Sequence, residues 1–181
     1  AHGMPLNHHS GGATPEFGAH FPASLAMFMI EVTWWSHRAL WHLIFSGVFE
    51  RHPDLAFVNT ETGTAWLPET LEKLDSFYER MKYGRYGSES IFGGMAVEGL
   101  SLKPSEYWKR QCYLGASFLR PTEVGLCTDI GLDNIMWGSD YPHTEGSFPF
   151  TREHLRLTFG SQPIEDATKL LTTNVARLYK F

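Results

Sequence analysis

Cysteine is scarce. The 181 residues hold two, Cys112 and Cys127, without C-x-x-C spacing, which excludes a disulfide framework and a thiolate metal cluster. A reducing, cytoplasmic setting is the expectation. Basic charge is short as well: 15 Lys plus Arg against 20 Asp plus Glu leave a formal net charge of −5. Phosphates would find no positive excess, so nucleic-acid binding is not expected. Charged residues of both signs reach only 19%, against ~25% in an average domain. The longest apolar run, Phe21 to Ile30, contains Pro22 and Ser24 and stops at Glu31. A bilayer span needs ~20 apolar residues, so no membrane helix is expected. No secretory signal pattern is visible, and the opening Ala1 in place of Met leads us to expect a start upstream. Neither G-x-G-x-x-G nor a P-loop occurs, and Ser10, Ser117 and Ser139 lack a G-x-S-x-G context. Nucleotide binding and serine-hydrolase chemistry therefore have no support.

Apolar content of 43% is enough for a real core, and aromatic residues are plentiful at 14%. The length suits one domain over residues 1–181. An aromatic-rich, charge-poor chain leads us to expect a surface covered by another chain. Met4 to His9 reads as a short strand, and Ala13 to Ala23 as a Gly- and Pro-rich loop. Leu25 to Val32 is apolar, and Thr33 to Glu50 carries the best helical spacing, with Trp34, Trp41, Phe45 and Val48. Leu55 to Asn59 is a second strand, followed by a helix opening near Pro68, a proline tolerated in a first turn. Tyr83 to Leu102 is Gly-rich and predicts an excursion around residues 83–105. A short helix at Glu106 to Arg110, a strand at Cys112 to Phe118 and a helix at Pro121 to Gly131 follow. Ile135 to Trp137 runs into Gly138-Ser139-Asp140, then a loop from Tyr141 to Pro149, then helices at Thr151 to Phe159 and Ile164 to Tyr179. This β-α alternation predicts an α/β fold with parallel strands. Four βα units are too few for a closed barrel of ~250 residues. They make either a small open sheet or half a barrel.

In parallel βα folds the site lies at the carboxyl ends of the strands. Three of the four expected strands end in a residue able to bind metal or move a proton: His8-His9, Glu61 and Asp140. A neutral imidazole at His9 or His8 suits a metal, and alternation allows only one of the two to face the site. A strand-end histidine bonded to backbone is the plainer alternative. Asp140 suits a metal ligand or a general base, against a solvent-facing turn aspartate before Pro142. Glu61 suits a ligand, an acid/base or an orienting group, against a glutamate favoured at a helix entry. His143, three residues past Asp140, can reach metal or substrate from its loop. His37 and His42 lie within the aromatic helix and read as packing or surface residues.

At these residues the chain resembles the amidohydrolase-related family, the metal-dependent TIM-barrel hydrolases and decarboxylases. HGMPLNHHSGG is similar to that family's fifth strand, and LIFSGVFERHPDLAFVNTETGTAWLP to the helix leading into its sixth. IMWGSDYPHTEG is similar to the eighth strand and its loop, and TTNVARLYKF to the closing helix. The resemblance implies the C-terminal half of a (β/α)8 TIM barrel, strands five to eight. It implies a divalent metal, zinc first, with manganese or iron also suited to histidine plus carboxylate. His9 becomes the strand-five ligand and Asp140 the strand-eight ligand or base. Glu61 stands where many relatives carry a histidine. The family's H-x-H pair from strand one is missing from these residues.

A catalytic zinc site takes three protein ligands and an open position, and His9 with Asp140 supplies two. The expectation is a metal-dependent hydrolase of C–O or C–N bonds in a small organic substrate, active once the N-terminal half is supplied. Catalysis would fall to Asp140, Glu61 and His143. Metal-dependent decarboxylation of an aromatic or unsaturated acid is the first alternative. A non-catalytic truncated barrel that binds a partner or self-associates is the second. A glycosidase pairing Glu61 with Asp140 leaves the first-strand histidine without a role.

Overall fold

The computed structural model describes residues 3–11, 21–85, 87–117 and 119–181. Its strands are β1 (Leu6–His9), β2 (Phe57–Thr60), β3 (Cys112–Ser117) and β4 (Ile135–Gly138), in spatial order β1-β2-β3-β4. Every neighbouring pair is parallel: Leu6 lies opposite Phe57, Phe57 opposite Cys112, and Leu114 opposite Ile135. Parallel neighbours need crossovers, and helices supply them. The first crossover holds α1 (Ser24–Phe45) and α2 (Val48–Arg51), and the second α3 (Leu67–Tyr83), α4 (Ser88–Val97) and α5 (Pro104–Gln111). α6 (Pro121–Ile130) and a 3-10 turn (Leu132–Asn134) lead to β4. The chain closes with α7 (Thr151–Phe159), α8 (Ile164–Thr168), a π-helical turn (Lys169–Thr173) and α9 (Asn174–Tyr179). Most of the expected loop at Ala13 to Ala23, and Phe118 at the expected end of the third strand, lie outside the described residues. Among the described residues no helix is long and apolar enough to cross a membrane.

Side-chain alternation gives the sheet a helix-covered face. Phe57, Cys112, Leu114, Ala116 and Ile135 join Leu40 and Ile44 of α1, Leu67 and Leu71 of α3, and Trp108 of α5 in one buried cluster. Side-chain amides brace the amino ends of the strands. The Gln111 amide donates to the His52 and Leu55 carbonyls at 3.1 and 2.9 Å. Asn134 donates to Cys112 at 2.8 Å, and Asn174 to Leu132 and Ile135 at 2.7 Å each. Carbonyls at that end are thus paired by side-chain amides, as burial demands. The Tyr179 hydroxyl donates to Asn7 Oδ1 at 2.6 Å, tying the last helix to the first strand.

Three expectations need correcting. The apolar segment from Leu25 and the helix from Thr33 to Glu50 are one helix up to Phe45, because no breaker separates them. The break comes at Gly47, whose φ of +70° a glycine adopts without strain. The Gly-rich excursion contains a helix, α4, packed on α3. There Gly93 serves close approach, since a Cβ at that position would collide with the Met81 side chain. The last helix is interrupted by a π-helical turn immediately before Asn174.

Candidate metal centre

Because the strands are parallel, their carboxyl ends share one edge of the sheet. His9 ends β1, Glu61 follows the last residue of β2, and Asp140 lies two residues past β4. Glu61 and Asp140 both adopt the left-handed backbone region, each with φ +58°. Few non-glycine residues do so, and the strain persists only where surroundings enforce it. Around Asp140 the loop closes tightly: Ser147 N–H donates to the Ser139 carbonyl at 2.9 Å and His143 N–H to the Asp140 carbonyl at 2.9 Å.

Ligand atoms of Glu61, Asp140 and His143 lie within 4.8 Å of one another. His143 Nδ1 is 3.1 Å from Asp140 Oδ2. His9 joins through Glu61, its Nε2 2.7 Å from Glu61 Oε2. The two carboxylates are largely shielded, with side chains 16% and 10% exposed for Glu61 and Asp140, while the histidines are more than half exposed. His9 Nδ1 lies 2.9 Å from the Ser10 carbonyl, which can only accept, so that nitrogen carries a proton. In the neutral ring, Nε2 is then a lone pair facing a carboxylate oxygen. Two acceptors so close require a proton or a cation between them. A backbone-anchored imidazole is also the usual arrangement of a histidine ligand. Two carboxylates with imidazole suit zinc, manganese or iron. The donor set therefore fits a divalent metal.

A hydrogen bond from His143 to Asp140, reinforced by the Asp140 charge and by Glu145 and Glu61, holds the His143 pKa above its ordinary value. His8, next along the strand, has its pKa lowered by burial, opposed by a hydrogen bond to the Ser36 backbone. Alternation thus separates His8 from His9, as expected. His37 is buried and stacks on Trp66, with ring centroids 3.7 Å apart and 9° between planes. His42 is exposed on α1.

All four sequence-selected residues, His9, Glu61, Asp140 and His143, come together at this edge. Sequence reasoning missed Glu123. It is buried near the start of α6, and its carboxylate accepts hydrogen bonds from Thr64 in the turn after β2. Burial alone would raise its pKa, but hydrogen bonds from Arg120 and the Arg120 charge bring it below the ordinary value. The run Arg120-Pro121-Thr122-Glu123, with proline at the first helical position and glutamate at the third, was the available signal.

The sequence profile of the family described as Amidohydrolase matches residues 1–181. No curated protein matches the chain. Solved structures share the fold. One is a 5-carboxyvanillate decarboxylase from Sphingomonas paucimobilis, at 23% identity and TM-score 0.72, with 99% of this chain covering 50% of that one. Another is an amidohydrolase from Mycobacterium avium subsp. paratuberculosis K-10, at 21% identity and TM-score 0.66, covering 97% and 42%. A third is a dihydroxybenzoic acid decarboxylase from Polaromonas sp. JS666 with bound manganese and the inhibitor 2-nitroresorcinol, at 17% identity and TM-score 0.62, covering 88% and 46%. The chain thus spans half or less of the length of these structures, and its parallel four-stranded sheet matches half of a TIM barrel.

Proposed function

The chain belongs to the amidohydrolase family, and from that membership we propose that it carries the proton-handling half of a divalent-metal-dependent enzyme acting on a small organic acid. The convergence of Glu61, Asp140 and His143 within 4.8 Å carries this reading. Glu61, Asp140 and His9 would hold the ion, with His143 beside them. It supplies a Lewis acid that draws electron density from a substrate oxygen. Asp140, shielded and paired with His143, is placed to give or take a proton at the reacting atom. His143, its pKa raised by that pairing, stores the proton between steps. Glu61 and His9 brace each other across the first two strand ends.

We favour decarboxylation, which two of the three solved structures described above perform according to their names. Loss of CO2 leaves a carbanion that needs a proton, and the Asp140–His143 pair can deliver one. Hydrolysis is the second reading, favoured by the same pair's capacity to take a proton from attacking water. The N-terminal half of the barrel, or a second copy, would complete the site. Large apolar residues exposed on α1 and α4, among them Leu25, Met29, Ile30, Ile91, Phe92 and Met95, support a covering chain.

A native mass spectrum of the purified protein tests the assembly and the metal together. Stoichiometric metal in a complex with an N-terminal chain supports the enzyme. A metal-free assembly of this chain alone overturns it. Assay of that complex for CO2 release from hydroxylated benzoates, beside hydrolysis of esters and amides, separates the two reactions.

A further inference from the structure

The turn that carries Glu61 is held from another strand end. Thr62 and Thr64, which follow Glu61 around Gly63, are buried. Thr62 N–H donates to the Gly115 carbonyl of β3 at 3.3 Å. Thr64 gives its backbone N–H at 3.3 Å and its hydroxyl at 3.4 Å to one oxygen of Glu123. That oxygen sits over Gly63, so close that a Cβ there would lie 3.2 Å from it. The other Glu123 oxygen accepts Arg120 N–H at 3.1 Å and Arg120 Nε at 2.9 Å. A glutamate at the third helical position ordinarily caps its own first turn. Glu123 does so with one oxygen and grips a different element with the other, which is why it is only 5% exposed.

We infer that Glu123 is a positioning residue for Glu61, clamping the turn after β2 against the start of α6. The inference rests on Glu61 being a metal ligand, as proposed above. Glu61 sits at φ +58°, a conformation that needs its neighbours to enforce it. The clamp supplies that enforcement through Thr64, three residues downstream. An amide cannot replace the carboxylate, because it has a single acceptor oxygen, and either Thr64 or Arg120 would face an NH2 donor.

The test uses the full chain with Glu123→Gln, Thr64→Val and Arg120→Ala, read by amide hydrogen exchange without metal and by Mn2+ titration calorimetry. Glu123→Gln should speed exchange at Thr62 and Thr64 and weaken Mn2+ binding about tenfold, the scale seen for groups that orient metal ligands. Thr64→Val should act in the same direction but less, and covers the case where Glu123→Gln does not fold. Arg120→Ala, which leaves the grip on Thr64, should change both readouts least. In a Glu61→Gln background, Glu123→Gln should cost no further affinity, since coupled residues are not additive. Unchanged exchange, or an equal affinity loss with and without Glu61, overturns the inference. If the wild-type chain binds no Mn2+, the metal reading fails by itself. Exchange at Thr62 and Thr64 then decides the clamp, faster exchange in Glu123→Gln sustaining it and unchanged exchange overturning it.

Discussion

Glu61 and Asp140 follow strands separated by β3, yet share one backbone conformation, φ +58°, and bring carboxylate oxygens within 4.8 Å. Strands two places apart in a sheet lie about 10 Å apart. The side chains close that gap because each leaves its strand at a left-handed turn, above an edge where the strand ends face one site.

The two carboxylates should dominate metal affinity. Glu61→Gln and Asp140→Asn are each expected to weaken Mn2+ or Zn2+ binding by more than about 100-fold, above the range for outer partners. His9→Ala and His143→Ala, at more exposed positions, should cost less in affinity. In the assembled enzyme His9→Ala and Asp140→Asn should abolish turnover. Calorimetric titration of each variant checks the order, and retained turnover in both variants would refute the assignment.

Gly146 closes the loop over Asp140. A Cβ there would sit 2.8 Å from the Asp140 and Ser139 carbonyl oxygens and 3.0 Å from that of His143. Gly146→Ala should open the loop, cost about 1–3 kcal/mol as overpacking does, and reduce metal affinity together with thermal stability. An unchanged melting curve with unchanged affinity would show that the loop is not held this way.

His37 makes stability depend on acid. Burial lowers its pKa from 6.5 to about 4, so the unfolded chain takes up the proton first. Its contribution is complete above pH 6.5, declines as pH falls, and is gone below about 4. The total is roughly 3 kcal/mol. His37→Phe, which keeps a ring against Trp66, should flatten urea-unfolding midpoints over that interval. Parallel pH profiles for both proteins would contradict it.

Asn174 satisfies two carbonyls, those of Leu132 and Ile135. Asn174→Ala should destabilise by about 2–4 kcal/mol, since both acceptors lose their donor. Asn174→Asp should be no better, because its oxygens would face carbonyl oxygens. Denaturant titration of the pair checks this, and a loss confined to the alanine variant would reject the donor role.

Parallel pairing and the placing of His9, Glu61 and Asp140 at strand ends were legible in the sequence by itself, while the half barrel came from the family resemblance. Alternation of strand-like runs with helical spacing calls for parallel strands joined by helices, and parallel strands put their carboxyl ends together. The helical excursion and the uninterrupted α1 were not legible, since glycine gives the same letter whether it turns a chain, as Gly47 does, or admits a neighbouring helix, as Gly93 does. Nor was Glu123, whose capping pattern describes only its own helix. Its grip on Thr64 joins residues 59 positions apart. That contact, the left-handed turns at Glu61 and Asp140, and the distance between their carboxylates exist only once the sheet is assembled, because each is enforced by an element remote in the chain.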